Sequence, residues 1–266
     1  MDNNPIKKRM ARRQHIYRKR IPYGMMNFVS VRQDDCYYVD KTDFIAQIEE
    51  SNKFFFYIRP RRFGKSLTLS MLKQYYDINM ADRFEELFGG LYIGENPTPE
   101  HNTYLIISLN FAVVDANLEN YKKGLDAHCN TEFNYFCDVY AQYLPANLKE
   151  EMNKKDGAAE QLDYLCKECK KTGQKVYLFI DEYDHFTNTI LAEPDCLNSY
   201  QAETHGTGYL RKFFDTIKSA TDSTLERVFV TGVSPVTMDD LTSGFNIGTN
   251  SVSYTHLRAH ETLRYL

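Results

Sequence analysis

The apolar run Phe54-Phe55-Phe56-Tyr57-Ile58 passes directly into Arg59-Pro60-Arg61-Arg62-Phe63-Gly64-Lys65-Ser66. After it, Leu67, Met71, Leu72, Tyr75 and Tyr76 recur at helical spacing. A strand, a short basic loop and a helix in immediate succession leave few folds open. A continuous apolar strand is buried on both faces, and such strands belong to parallel sheets covered by helices.

The loop itself predicts a phosphate-binding site. Backbone N–H groups at a loop-to-helix junction have no partner inside the helix, so they form a positive concavity suited to phosphate oxygens. Lys65 adds a mobile charge suited to β- and γ-phosphates, and the Ser66 hydroxyl suits Mg²⁺. The pattern G-x-x-x-x-G-K-S/T asks for glycine where this chain has Arg59. Pro60 biases Arg59 toward extended geometry, so the exit from the strand must be built differently. Gly64-Lys65-Ser66 alone reads equally as a basic surface loop.

A second run, Val176-Tyr177-Leu178-Phe179-Ile180, has the same buried-strand character and ends in Asp181-Glu182. Two acidic residues after a strand can be simple caps. Combined with the phosphate loop more than a hundred residues earlier, they match a division of labour in which the aspartate holds Mg²⁺ and the glutamate orients or deprotonates the attacking water.

Together with Tyr38-Val39-Asp40-Lys41-Thr42 and Phe229-Val230-Thr231-Gly232-Val233-Ser234, these segments resemble the predicted AAA-ATPase-like family of P-loop proteins. In that family Arg-Pro-Arg-Arg-Phe-Gly-Lys-Ser is the usual form of the loop, so the missing glycine is a family trait. The resemblance runs from roughly Ile21 to Asn250. It implies a three-layer P-loop NTPase sandwich, an α/β fold with a mainly parallel central sheet, binding ATP with Mg²⁺. The implied nucleotide contacts are Arg61, Arg62, Phe63, Gly64, Lys65, Ser66, Leu67 and Thr231. Metal ligation falls to Ser66 and Asp181, and catalysis to Lys65 and Glu182. Thr231 and Ser234 can address the γ-phosphate or serve the local turn, and Arg61 and Arg62 can be phosphate contacts or surface charge. Tyr38 and Asp40 are nucleotide contacts by resemblance, or else core packing and a helix cap. Family members often continue into a nuclease-like domain of the PD-(D/E)xK type.

The remaining strands are expected at Tyr104–Asn110 and Arg227–Val233, and Cys36–Val39 also reads as extended. Asp40 or Thr42 is expected to cap the helix bearing Phe44, Ile45 and Ile48. Longer helices are expected over Leu118–Tyr140, after Gly157, and around Tyr209–Ile217. Glu193–Thr207 reads as a polar loop.

A net charge of −4 gives no global case for nucleic acid or an anionic membrane. No apolar run reaches the roughly eighteen residues of a membrane span, and the chain is expected to be cytoplasmic. Its six cysteines form no disulfide-scaffold pattern. Cys166 and Cys169 lack a second ligand pair, and the spacing equally puts two small residues on a helix face. Residues 1–20 carry eight basic side chains against Asp2 and read as a flexible tail, with nucleic-acid binding as the alternative. Residues 21–250 form the expected domain. Residues 251–266 are expected to be a non-native tail, because Ser253–Thr262 resembles translated adapter read-through; the natural chain is then expected to be longer. The leading function is ATP hydrolysis driving a conformational change in an attached domain. The alternative is a nucleotide-gated switch or binding module with negligible turnover.

Overall fold

The computed structural model describes residues 19–114, 118–185, 208–234 and 248–252. Most of the basic tail, the loop Glu193–Thr207 with Cys196, and the chain from Ser253 onward lie outside the described residues.

The sheet follows from the apolar runs. Strands β1 (Phe54–Ile58), β2 (Tyr104–Asn110), β3 (Lys175–Asp181), β4 (Arg227–Gly232) and β5 (Gly248–Val252) form one five-stranded sheet in the order β2-β3-β4-β1-β5. Every neighbouring pair is parallel. All five residues of β1 are buried, as are Val176 to Asp181 of β3.

Successive strand residues feed two separate cores, because side chains alternate across a sheet. Phe54, Phe56 and Ile58 join Leu178, Ile180, Val228 and Val230 on one face. Against them pack α6 (Leu118–Val139), α7 (Leu148–Asn153), α8 (Gly157–Lys171) and α9 (Tyr209–Thr221). Phe55, Tyr57, Tyr177, Phe179 and Phe229 face the other way. That side is covered by α1 (Phe28–Gln33), α2 (Phe44–Glu50), α3 (Lys65–Tyr76) and α4 (Phe84–Phe88). Cys166 and Cys169 are fully buried on α8, where burial pushes the Cys166 thiol up to about 12 and raises Cys169 as well.

The topology positions the site. After β1 the chain crosses to the far edge at β2 and returns through β3 to β4, which lies between β3 and β1. In parallel sheets the crevice beyond the carboxyl ends of the strands, where the order reverses, is the place where ligands bind. Here that crevice lies beyond Ile58, Gly232 and Asp181.

Two expectations near the N-terminus need correction. Cys36–Val39 forms no strand, and both sides of β1 are taken by β4 and β5. Residues 28–33 instead make the short helix α1, whose first N–H groups are capped by Asn27 Oδ1. Asp40 and Thr42 cap a different helix from the expected one. Asp40 Oδ2 accepts from Tyr92 N at 2.7 Å and Thr42 Oγ1 from Ile93 N at 3.1 Å, closing the start of α5 (Tyr92–Glu95). The neighbouring α2 begins at Asp43 with no side-chain cap bond.

Candidate functional site

The loop after β1 turns through two left-handed residues, Arg62 (φ 69°) and Gly64 (φ 76°), before α3 begins at Lys65. Glycine takes this conformation freely, whereas it is uncommon for an arginine. The first bond of α3 runs from Thr68 N to Gly64 O at 2.9 Å, so the N–H groups of Lys65, Ser66 and Leu67 open toward the loop side.

Arg59 occupies the position where the general pattern has glycine, and its role is structural. It is only 4% exposed, its guanidinium lies 4.7 Å above the Tyr57 ring, and it donates to Ile58 O at 2.9 Å. Its own N–H continues the sheet, reaching Gly232 O at 3.2 Å. The φ of Arg59 is not positive, so no glycine is required there. Arg59→Gly, which would restore the general pattern, is therefore expected to lower stability by about 2 kcal/mol through loss of the buried cation–π contact, a hydrogen bond and side-chain packing. Thermal unfolding of the two chains checks this, and a variant as stable as the parent would contradict it.

Lys65 is 5% exposed, and its ammonium donates to Arg59 O at 3.1 Å and to Pro60 O at 3.4 Å. It also lies 4.0 Å from Glu182 Oε1. The basic loop and the acidic strand end, 117 positions apart from Lys65 to Glu182, thus meet at one place. Burial raises the Glu182 carboxyl above its ordinary range; Lys65 opposes the shift, Asp181 and Asp184 add to it, and Arg61 opposes it.

Asp181 is buried, and its Oδ1 accepts from Glu182 N at 3.0 Å and from the Thr231 hydroxyl. Thr231 thus stands beside the acidic residue, at the end of the strand between the two motif strands. Ser234 contributes through its main chain: its N–H donates to Asp184 Oδ2 at 2.6 Å, and its carbonyl accepts from the Tyr183 hydroxyl at 2.6 Å.

Tyr183 and Asp184, which follow the acidic pair, were given no role by sequence reasoning. Both are fully buried. Asp184 Oδ2 also accepts from Val233 N at 2.9 Å, and Tyr183 N donates to Thr231 O at 3.1 Å. Together they lace the end of β3 to the turn after β4. The signal was present as a second aspartate three residues after Asp181. Lys73, on α3, went unremarked in the sequence: it donates to Ser108 Oγ at 3.2 Å, and burial lowers its pKa while Asp181 opposes the shift.

A cleft of about 770 Å³ opens over this arrangement, lined by Ile21–Met26, by Arg61, Arg62 and Gly64 to Leu67 of the loop, and by Glu182. Phe63 is half exposed and turns away from the cleft, into a smaller slot on the other side of Gly64. Among the described residues no group of three or more His, Cys, Asp or Glu is placed to hold a metal ion. Nor, among them, is any helix long and apolar enough to cross a membrane.

A strand, a basic loop closing on a buried helix start, and an acidic pair on a nearby parallel strand place the chain among α/β proteins with a parallel sheet and a crevice at the carboxyl ends of its strands. Residues 22–242 match the family described as predicted AAA-ATPase, and the chain belongs to that family. It is also 30% identical over 233 residues to a protein of Azotobacter chroococcum mcd 1 described as "Uncharacterized protein in vnfD 5'region". The alignment covers 86% of this chain and 40% of that relative, so the chain spans well under half of the relative's length. No solved structure matches.

Proposed function

We propose that the chain carries the nucleotide-binding domain of a Mg²⁺-dependent ATP hydrolase, built as a three-layer P-loop NTPase sandwich. The observation that carries this reading is the convergence of Lys65 and Glu182, 4.0 Å apart, beside an Asp181 bonded to Thr231.

In this reading the backbone of Gly64 to Leu67 cradles the phosphates. Lys65 leaves the carbonyls of Arg59 and Pro60 to neutralise β/γ charge, and Arg61 and Arg62 add charge from the exposed side of the loop. Ser66 and Asp181 would hold Mg²⁺. The donor set suits that ion, which keeps several waters and takes one or two carboxylates together with substrate phosphates. When bound, Mg²⁺ supplies charge neutralisation on the transferring phosphoryl group. Thr231 orients Asp181 and reaches toward the γ-phosphate, and Glu182 positions or deprotonates the attacking water. Turnover would drive movement of a further domain, which the family resemblance suggests is nuclease-like. The substrate is a soluble intracellular nucleotide, so the proposal puts the protein in the cytoplasm.

The test is equilibrium ATP binding and phosphate release by the parent chain and by Lys65→Ala. The parent is expected to do both. Lys65→Ala is expected to bind at least about tenfold more weakly, since a hydrogen bond to a charged group contributes about 1.5–3 kcal/mol. Binding without phosphate release by the parent would favour the nucleotide-gated switch. No binding at all would end the nucleotide reading.

A further inference from the structure

Lys73 takes no part in the chemistry proposed above. It sits two turns into α3, about 12 Å along the axis from Lys65, and so lies out of reach of phosphates at the helix start. Its side chain is partly enclosed against the sheet, where the ammonium donates to Ser108 Oγ at 3.2 Å. That hydroxyl carries no charge. Among the described residues Lys73 joins no ion pair. Withdrawing an unpaired ammonium from water is costly, so some use of the charge must offset the cost.

The register of the sheet sets that charge near Asp181. Ser108 pairs with Phe179, and Asn110 with Asp181, on the adjacent parallel strand. Side chains alternate along a strand, so Asp181 shares the face covered by α3 with Tyr177 and Phe179. From Ser108 to Asp181 the step is one strand across and two residues along, about 8 Å. An ammonium resting on Ser108 therefore stands on the carboxylate's own face of the sheet, nearer the amino end. The two charges feel each other: burial lowers the Lys73 pKa, while Asp181 and then Glu132 of α6 oppose the shift. Asp181 is itself buried, so little water screens the pair. Its Oδ1 is taken by Glu182 N and the Thr231 hydroxyl, and Lys73 acts on it through the field alone.

We infer that Lys73 is a positioning residue acting through Asp181: its fixed positive charge offsets the carboxylate, so that Mg²⁺ is held weakly by the protein alone and firmly only together with a triphosphate. The triphosphate restores the negative charge that Lys73 cancels. This role rests on Asp181 being the metal ligand proposed above, but its sign sets it apart. Removing the charge should tighten the binding of a cation, whereas damage to the fold should loosen it.

The experiment measures Mg²⁺ affinity for the parent chain, Lys73→Met and Lys73→Gln in two ways: by titrating Mg²⁺ into nucleotide-free protein, and from ATP affinity at a series of Mg²⁺ concentrations. Methionine removes the charge and the donor together, while glutamine removes the charge but keeps a donor for Ser108 Oγ. Both variants are expected to bind Mg²⁺ about tenfold or more tightly than the parent without nucleotide, the scale of one charge acting on a divalent ion about 10 Å away in a partly screened interior. Both should also need less Mg²⁺ for tight ATP binding. A glutamine variant that matches the parent while the methionine variant differs would assign Lys73 to anchoring α3 on β2 and overturn the role. Mg²⁺ affinity within about twofold of the parent, or weaker, in both variants would overturn it as well, and so would failure of both to fold. A parent that binds ATP without regard to Mg²⁺, or not at all, removes the proposed metal site itself, and the offset with it.

Discussion

Glu182→Gln is expected to bind ATP as the parent does and to release phosphate about 10²- to 10⁴-fold more slowly, the usual range for losing a positioned general base. The backbone explains why this carboxylate, among the acids of Asp181-Glu182-Tyr183-Asp184, faces the cleft. Asp181 is bound to Thr231, while Tyr183 and Asp184 are bound to the turn after β4. With its neighbours fixed on both sides, Glu182 adopts φ 52°, a left-handed conformation that is uncommon for a glutamate. That conformation puts its side chain beside Lys65 with 29% of its surface open.

Glutamine keeps the shape and the backbone, so binding should survive while proton transfer fails. The carboxyl pKa is raised, mainly by burial, so the base form is lost at a higher pH than for an ordinary glutamate. The acid limb of the pH–rate profile should be displaced upward accordingly. The same shift has a stability sign: ionising a group whose folded pKa is raised disfavours the fold, so the cost is present at neutral pH and relieved as pH falls through that pKa. Rates of phosphate release for the two chains across pH check both points, and a Glu182→Gln chain that turns over normally would take the water-positioning role away from Glu182.

The four strands that frame the site were legible because their residues leave little choice. Tyr104–Asn110 and Phe54–Ile58 have the boundaries the apolar runs predict, and the observed β3 and β4 agree to within a residue at each end. A strand buried on both faces carries its signal in every residue. The short helices do not. Six-residue α1 and α7 and four-residue α5 exist through tertiary contacts: Phe28 and Val31 of α1, Leu148 and Met152 of α7 and Ile93 of α5 are buried in the two cores. Helices this short have almost no intrinsic stability, so their sequences carry little periodicity to read. At the site, the loop and the acidic pair could be named from the chain. Arg59 could not be separated from the other loop arginines until its guanidinium was seen on Tyr57. The cap exchange of Asp40 and Thr42 was hidden for a related reason: their partners lie about fifty residues away, and sequence reading favours the nearest helix.

The turn after β4 offers the harshest test of how this site is held. A Cβ at Gly232 would lie 2.3 Å from Tyr183 Cε1, 2.5 Å from Cδ1 and 2.8 Å from Asp184 Oδ1. None of these atoms belongs to a free-swinging side-chain end. Tyr183 is fully buried and tied through its hydroxyl to Ser234 O, and Asp184 is fully buried and tied to two main-chain N–H groups. Relief must therefore come from the backbone, at the cost of overpacking, about 1–3 kcal/mol, plus weakened hydrogen bonds to a carboxylate, about 1.5–3 kcal/mol each. Gly232→Ala should lose about 3 kcal/mol or more of stability. Where it still folds, phosphate release should fall too, because the adjoining Thr231 can no longer hold Asp181. Gly64 makes the contrast: nothing lies within 4 Å of its added Cβ, and its only constraint is φ 76°. Gly64→Ala should therefore cost only the torsional penalty, about 1–2 kcal/mol. Denaturant unfolding of both variants reads the difference. If Gly232→Ala proves no less stable than Gly64→Ala, the lacing of β3 to the β4 turn is looser than the packing of Tyr183 requires.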